Sequence, residues 1–378
     1  MLKKINSHNA HLRVKKHNNL ILCFLGIVSV LLYALFFPAY ESPDEITHLE
    51  RILKQSNLWG LILNNLSSFF LDLKNLNVLD QLKINENFSF ARNEFLYLTS
   101  SAPIEYYFVR IINALIVLAL FFLFVLVFNG NKFSILWPSA TYYLSILNSE
   151  GIAYALMLGS STNTKTKIFF LIFLSLILFF VDRSIAIFVA FLLIKFALLS
   201  ISKGNLLLFK QMSIGIFFAS IIIYSISIFE FELIFDFILS SHLREIMFFS
   251  QNLKPDHLNQ LVIFVASSLA LTGYMSFYPT IIFYLLFIFL IYHSLQFVKS
   301  IKVEQNEINE ILGTIFVGLS VFLLVSSLAP QLAHFRYYLF LAPSLTSIFL
   351  YRYPVKYLAI LTLIVLIYNT LILNLYLI

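Results

Sequence analysis

The chain is poor in cysteine and in charge, and it lacks the common catalytic signatures. One cysteine, Cys23, stands in 378 residues, inside an apolar run. That excludes a disulfide framework and a cysteine-based metal site, and leaves redox compartment unread. No Walker-type Gly-rich loop occurs, so nucleotide hydrolysis is not indicated, and HExxH, CxxC and GxSxG are absent as well. Repeats, low-complexity tracts, linkers and a second soluble domain are not evident. Inverted repeats with matched broken helices, a sign of some transporters, are not visible either. Asp, Glu, Lys and Arg make up only 12% of residues, where a soluble domain carries about 25%.

What is present is apolar. Hydrophobic residues account for 60% of positions, mean hydropathy is +0.89, and aromatic residues reach 17%. A protein core cannot absorb that excess, whereas a bilayer can, and Phe and Tyr suit lipid-facing surfaces and interfacial belts. The formal net charge of +6 is better explained by Lys and Arg stationed in cytoplasmic loops than by a nucleic-acid partner. The composition therefore predicts an all-α, polytopic integral membrane protein with the lipid bilayer as its first partner.

Run lengths give the topology, because a helix crossing ~30 Å of hydrocarbon needs about 20 largely apolar residues. The first candidate is Leu20–Phe37, preceded by Lys3, Lys4, Arg13, Lys15 and Lys16. No small-residue cleavage site follows, so it reads as an uncleaved first span with residues 1–19 in the cytoplasm. Residues 39–105 then form a large first outer loop, with amphipathic pieces suited to short interfacial helices. Further spans fall near 106–128, 134–147, 151–160, 168–181, 185–201, 211–229, 278–297, 311–328, 337–350 and 357–377. The 151–160 piece is too short to span alone. About eleven crossings put Lys132, Lys165, Lys167, Lys203, Lys210, Lys299, Lys302, Arg352 and Lys356 on the cytoplasmic side. This requires residues 230–277 to stay outside as a second outer loop, with 260–277 as an interfacial or re-entrant helix.

Polar groups at the outer face gather in four places. After the first span comes ESPDEITHLER, where Ser42 caps and Pro43 opens a helix. Asp44, His48 and Arg51 share one face of that helix, with Glu45 one turn before His48. A carboxylate held this way serves as a general base or a divalent-ion ligand. A capped, solvated helix start whose acids favour the helix dipole is the plainer alternative. At the entry to the second span stand Glu105, Tyr106, Tyr107 and Arg110, readable also as an aromatic belt with a snorkelling arginine.

The other two places lie further along the chain. Asn148 and Glu150 end the third span. There a carboxylate near the bilayer is costly and so a functional candidate, while a short exposed turn accounts for it as well. His334 and Arg336 come to the outer mouth of the penultimate span. Arg holds phosphate through paired hydrogen bonds, and interfacial anchoring is its alternative. Together the four suit a phosphate-bearing lipid substrate, with a carboxylate activating an acceptor hydroxyl and Arg336 offsetting charge on the leaving phosphate.

The order of these elements resembles the GT-C class of membrane glycosyltransferases. More closely, it is similar to the bacterial membrane-protein family called domain of unknown function 2142. The resemblance is carried by Pro43, Asp44, Glu45 and His48 after one span, then by Ala102-Pro103-Ile104-Glu105-Tyr106-Tyr107 against a P-P-L-Y-Y-like entry. It continues through Asn148–Glu150, Gly273 to Pro279, and Arg336-Tyr337 against a G-R-Y-x-x-P-like segment. The chain departs from the pattern at Ala102, Glu105 and Phe335, and the last Pro is displaced to Pro343.

The resemblance implies a GT-C-like fold in the bacterial cytoplasmic (inner) membrane. It implies a polyprenyl-phosphate-linked sugar donor and a glycan or lipid-linked acceptor. Asp44 would be catalytic, with Glu45 second and His48 supporting. Arg336 would bind donor phosphate alongside His334, with Glu105, Tyr106, Tyr107, Glu150 and Arg51 as the other substrate-site residues. Some GT-C enzymes use a divalent metal such as Mg or Mn, for which Asp44 and Glu45 would be the ligands. The alternative to sugar transfer is a transporter or flippase of a lipid-linked glycan, which predicts polar residues through the bilayer midplane. Lys195 is the main candidate of that kind.

Overall fold

The computed structural model describes residues 23–36, 49, 52–55, 58–68, 104–146, 151–162, 164–179, 185–229, 264, 267, 268, 289, 292, 293, 296, 305–329, 332 and 334–377. Among these residues every regular element is helical. They are α1 (Cys23–Phe36), α2 (Leu58–Ser68), α3 (Ile104–Phe128), a 3-10 turn (Lys132–Leu136), α4 (Pro138–Ser145) and α5 (Gly151–Gly159). There follow α6 (Lys165–Phe179), α7 (Ile185–Ile201), α8 (Leu206–Phe229), α9 (Gln305–Leu328), a second 3-10 turn (Phe335–Leu341), α10 (Ala342–Arg352) and α11 (Val355–Leu377). Three of them contain a stretch long and apolar enough to cross a membrane: α3, Leu206–Ser225 within α8, and α9.

A helix satisfies its backbone within itself, which is what a chain in hydrocarbon requires. Four serines of the long helices and α1 follow the same rule by turning back on their own backbone. Ser29 donates to the Leu25 carbonyl, Ser213 to Phe209, Ser220 to Ile216 and Ser320 to Phe316. Their hydroxyls are thereby satisfied without water.

The short helices form the centre. All eight residues of α4 are buried, as are eight of the nine in α5. The long helices surround them and turn apolar side chains outward, among them Leu115, Leu123 and Leu126 of α3, Phe169, Phe170 and Phe173 of α6, and Phe218 and Ile222 of α8. Helices that bury one side and expose large apolar groups on the other fit a lipid surround better than water. The centre is closed by glycine. A Cβ on Gly130 would sit 1.9 Å from the Gly159 carbonyl oxygen, and one on Gly159 would sit 2.6 Å from Phe124 Cβ. Backbone-to-backbone approach of this kind is how membrane helices pack tightly.

Contacts fix the direction of each element. α3 ends in a Schellman-type cap, with Asn129 in the left-handed region (φ 56°) and the Gly130 N–H donating to the Val125 carbonyl at 3.0 Å. At this end Lys167 Nζ donates to the Val127 carbonyl, 2.8 Å away. Lys195 Nζ reaches the Thr162 carbonyl from α7. The turn after α7 carries Lys203 (φ 50°) and Gly204 (φ 85°), and Asn205 caps α8 through the N–H groups of Leu207 and Leu208. Phe209 of α8 packs on Gly313 of α9, and Phe217, further along α8, packs on Phe316, further along α9, so these two helices run parallel from the same end. Lys132, Lys165, Lys167, Lys203 and Lys210 therefore belong to one end of the bundle, where α10 finishes and α11 begins. α1 starts there too, with Gly26 against Ile135 and Leu136, and runs away from it to place Tyr33 on Tyr142. Lys299 and Lys302 lie outside the described residues.

Two expected spans are not single helices. The 134–147 run is broken at Trp137, whose backbone is extended (φ −70°, ψ 129°) before Pro138 opens α4. The 337–350 run begins as 3-10 helix with Tyr338 out of helical geometry (φ −120°, ψ 21°), and only then becomes α10. The 151–160 and 168–181 runs appear as α5 and α6, of nine and fifteen residues. In the stretch read as interfacial or re-entrant, Phe264, Ser267 and Ser268 are described and all three are buried. Phe264 stacks on Phe322 of α9 at 4.0 Å, and the Ser268 carbonyl accepts from Trp137 Nε1 at 3.0 Å.

Candidate functional site

The end of the bundle opposite the lysines is rich in tyrosine. α3 begins there, with Glu105 in its first turn and half-buried. Tyr106 and Arg110 lie one turn apart and are both wholly buried, with Tyr107 partly so. The Arg110 guanidinium sits 5.2 Å from the Tyr106 ring centre and 6.0 Å from that of Tyr107. A cation over aromatic faces retains attraction where water is excluded. The arginine is thus held inside the protein.

Three residues further along α3, the Asn113 side chain donates to the Ile146 carbonyl at 3.0 Å. This satisfies the chain where it leaves α4 and ties α3 to the end of that helix. Tyr143 stands in the last turn of α4, with Tyr142 on one side (4.9 Å between ring centres) and Tyr154 of α5 on the other (5.6 Å). Its hydroxyl lies 3.1 Å from Nδ1 and 3.3 Å from Nε2 of His334. His334 is 6% exposed and caps the second 3-10 turn, its Nδ1 accepting the Arg336 N–H at 3.3 Å. That bond favours the neutral tautomer with the proton on Nε2.

Next to it the Phe335 N–H donates to Ser267 Oγ at 2.8 Å. Arg336 points along the same surface. Its Nη2 donates to the Tyr337 hydroxyl at 2.6 Å, and its guanidinium lies 4.7 Å from that ring's centre. It is half-buried. A planar guanidinium presents its donors as a fork whose geometry matches an oxyanion.

Of the residues proposed from sequence, the structure connects Tyr106, Tyr107, His334 and Arg336 to one end of the bundle, through Arg110, Asn113 and Tyr143. Glu105 is on the same end but joins none of these hydrogen bonds. Asp44, Glu45, His48, Arg51, Asn148 and Glu150 lie outside the described residues. Among the described residues no three His, Cys, Asp or Glu side chains come together as a metal site. Sequence reasoning did not find Tyr143 or Asn113. Neither carried a motif, and the partners of both are distant in the chain.

Lys195 is the buried cation at the other end. It is 4% exposed in the interior of α7, donates to Thr162 at 3.0 Å and lies 5.9 Å from the Phe191 ring centre. It is packed inward and does not snorkel.

No family model matches the chain, and no curated protein or solved structure matches it.

Proposed function

We propose that this chain is a GT-C-like glycosyltransferase of the bacterial inner membrane, with about eleven spans and a cytoplasmic N-terminus. It takes a sugar from a polyprenyl-phosphate carrier at the outer face and passes it to a glycan or lipid-linked acceptor in surface-glycan assembly. The observation that carries the reading is the division of charged groups between the two ends. Lys132, Lys165, Lys167, Lys203 and Lys210 collect at one, while Arg336, His334 and the Glu105–Arg110 turn lie at the other. α1 delivers the chain to that same tyrosine-rich end just before the Asp44 segment.

In this reading the Asp44 carboxylate takes the proton from an acceptor hydroxyl as its oxygen bonds to the anomeric carbon. The bond from that carbon to the phosphate oxygen breaks, and the polyprenyl phosphate leaves with the electron pair. Arg336 stabilises the phosphate charge through its guanidinium fork. Glu45 and His48 support Asp44, while Tyr106, Tyr107, Glu105, Glu150 and Arg51 shape the substrate site. A divalent Mg or Mn ion, where used, would rest on Asp44 and Glu45.

The test is purified protein in lipid with polyprenyl-phosphate sugars and candidate acceptors. Wild type should consume donor and Asp44→Asn should not. Equal turnover by both would remove Asp44 from catalysis.

A further inference from the structure

The two broken helices are built alike and run in opposite directions. In the first, Asn131 caps a 3-10 turn by accepting the Phe133 N–H at 3.0 Å, and the chain then enters α4 with Pro138-Ser139-Ala140-Thr141. In the second, His334 caps a 3-10 turn by accepting the Arg336 N–H, and the chain enters α10 with Ala342-Pro343-Ser344-Leu345-Thr346. Each capping residue also bonds to the helix of the other unit. Asn131 Nδ2 donates to Ser347 Oγ of α10 at 3.0 Å and approaches the Pro343 carbonyl at 3.5 Å. His334 meets the Tyr143 hydroxyl of α4. The start of each unit is therefore latched to the helical part of the other, one latch at each end of the crossing.

Three further facts point to a ligand. Ser139 and Thr346, on α4 and α10, are fully buried, and their hydroxyls make no hydrogen bond to any described residue. A buried polar group left in that state is costly and asks for a partner. Charge is confined to the ends of the two units, at Lys132, Arg336 and Arg352. Between them stand hydroxyls and aromatic rings, Trp137, Tyr142 and Tyr143 among them.

We propose that residues 131–146 and 334–352 are an inverted pair of half-elements whose crossing is a two-ended gate. Through it a neutral, hydroxyl-rich group, sugar-like in its chemistry, moves between the two faces of the membrane. Discontinuous helices paired in opposite directions at the centre of a bundle are the architecture that alternating access uses. Hydroxyls and aromatic faces bind such a group without charge. The structure has both latches made. The proposal is independent of Asp44 and of sugar transfer, and it concerns movement through the bundle.

The experiment uses the full chain in sealed vesicles, with Cys23→Ser as background and single Ser139→Cys or Thr346→Cys reporters. A membrane-impermeant thiol reagent is applied from each face. Asn131→Ala should speed labelling about tenfold from the lysine face alone, the factor that one lost hydrogen bond gives. Tyr143→Phe, the milder change, should do so from the opposite face alone. A neutral disaccharide should slow labelling in both opened variants, and inorganic phosphate should not.

Monodisperse, folded variants that label from neither face would show a sealed structural core and overturn the gate. Equal labelling from both faces in either variant would also overturn it. Protection by phosphate alone, or by neither compound, would overturn the ligand assignment. Loss of transfer in Asp44→Asn with labelling unchanged would bear only on the catalytic reading.

Discussion

The Tyr143 hydroxyl lies 3.1 Å from His334 Nδ1, joining two segments 191 residues apart in the chain. The ring centres are 5.8 Å apart and nearly perpendicular, so the pair is held by edge-to-face packing as well as by the hydrogen bond. Removing the hydroxyl alone should therefore loosen the contact without emptying the site. Tyr143→Phe is expected to cost about 1 kcal/mol, and His334→Ala more, because it also removes the cap on the Arg336 N–H. Thermal unfolding in detergent, with Tm falling further for His334→Ala than for Tyr143→Phe, checks the order. A reversed order would place the energy in the tyrosine hydroxyl and not in the histidine.

Gly159 and Gly215 should respond in opposite senses. A Cβ at Gly159 meets Phe124 at 2.6 Å and the Phe121 carbonyl at 3.0 Å, within two packed backbones that cannot give way cheaply. Gly159→Ala is expected to destabilise by about 1–3 kcal/mol, the usual cost of overpacking. At Gly215, in the interior of α8, nothing lies within 4 Å of the added carbon. Gly215→Ala should be neutral or stabilising by about 0.5–1 kcal/mol through backbone entropy. Folded yield and Tm of the two variants, side by side, decide it.

Lys195 and Glu310, opposite in charge, belong to α7 and α9, two helices that pack against each other. A double-mutant cycle of Lys195→Met and Glu310→Gln is expected to show a coupling of about 0.5–3 kcal/mol. Zero coupling would leave the Thr162 carbonyl as the lysine's whole support. Lys195→Met alone should lower Tm, since it strips that carbonyl of its donor.

Arg336 should not be replaceable by lysine. Arg336→Lys keeps the charge but loses the planar fork and the stacking on Tyr337. Under the transfer reading, KM for the lipid-linked donor is expected to rise about tenfold, with kcat changed less and the fold intact. An unchanged KM would move donor binding elsewhere.

The two ends of the bundle should face opposite compartments. In the Cys23→Ser background, Lys203→Cys and Glu105→Cys are expected to label with an impermeant reagent from opposite sides of sealed vesicles. Labelling from the same side would undo the assignment of ends.

Long apolar runs were legible from composition because length and hydropathy are what the bilayer selects. The 106–128, 185–201 and 311–328 runs correspond to Ile104–Phe128, Ile185–Ile201 and Gln305–Leu328. The breaks at Trp137 and Tyr338 were hidden, because hydropathy registers apolarity and not backbone continuity. Helical periodicity gave little help in a chain where the faces toward lipid and toward the core are both apolar. At the site, Tyr106, Tyr107, His334 and Arg336 stood out as polar or aromatic groups at span ends. Tyr143 did not, because its importance lies in a partner that only the fold supplies.

The brevity of α4 and α5 has a consequence for biogenesis. Eight and nine residues are too few for an insertion machinery to release sideways as independent spans. They gain their place when α3 already lines one wall, with Gly159 against Phe124 and Asn113 on the Ile146 carbonyl. α4 also draws on the Asn131–Ser347 contact, whose two residues stand 216 positions apart in the chain. The centre of this protein is therefore completed only once α10 has been made, and until then the nascent chain must hold an unfinished, hydroxyl-bearing interior in the membrane.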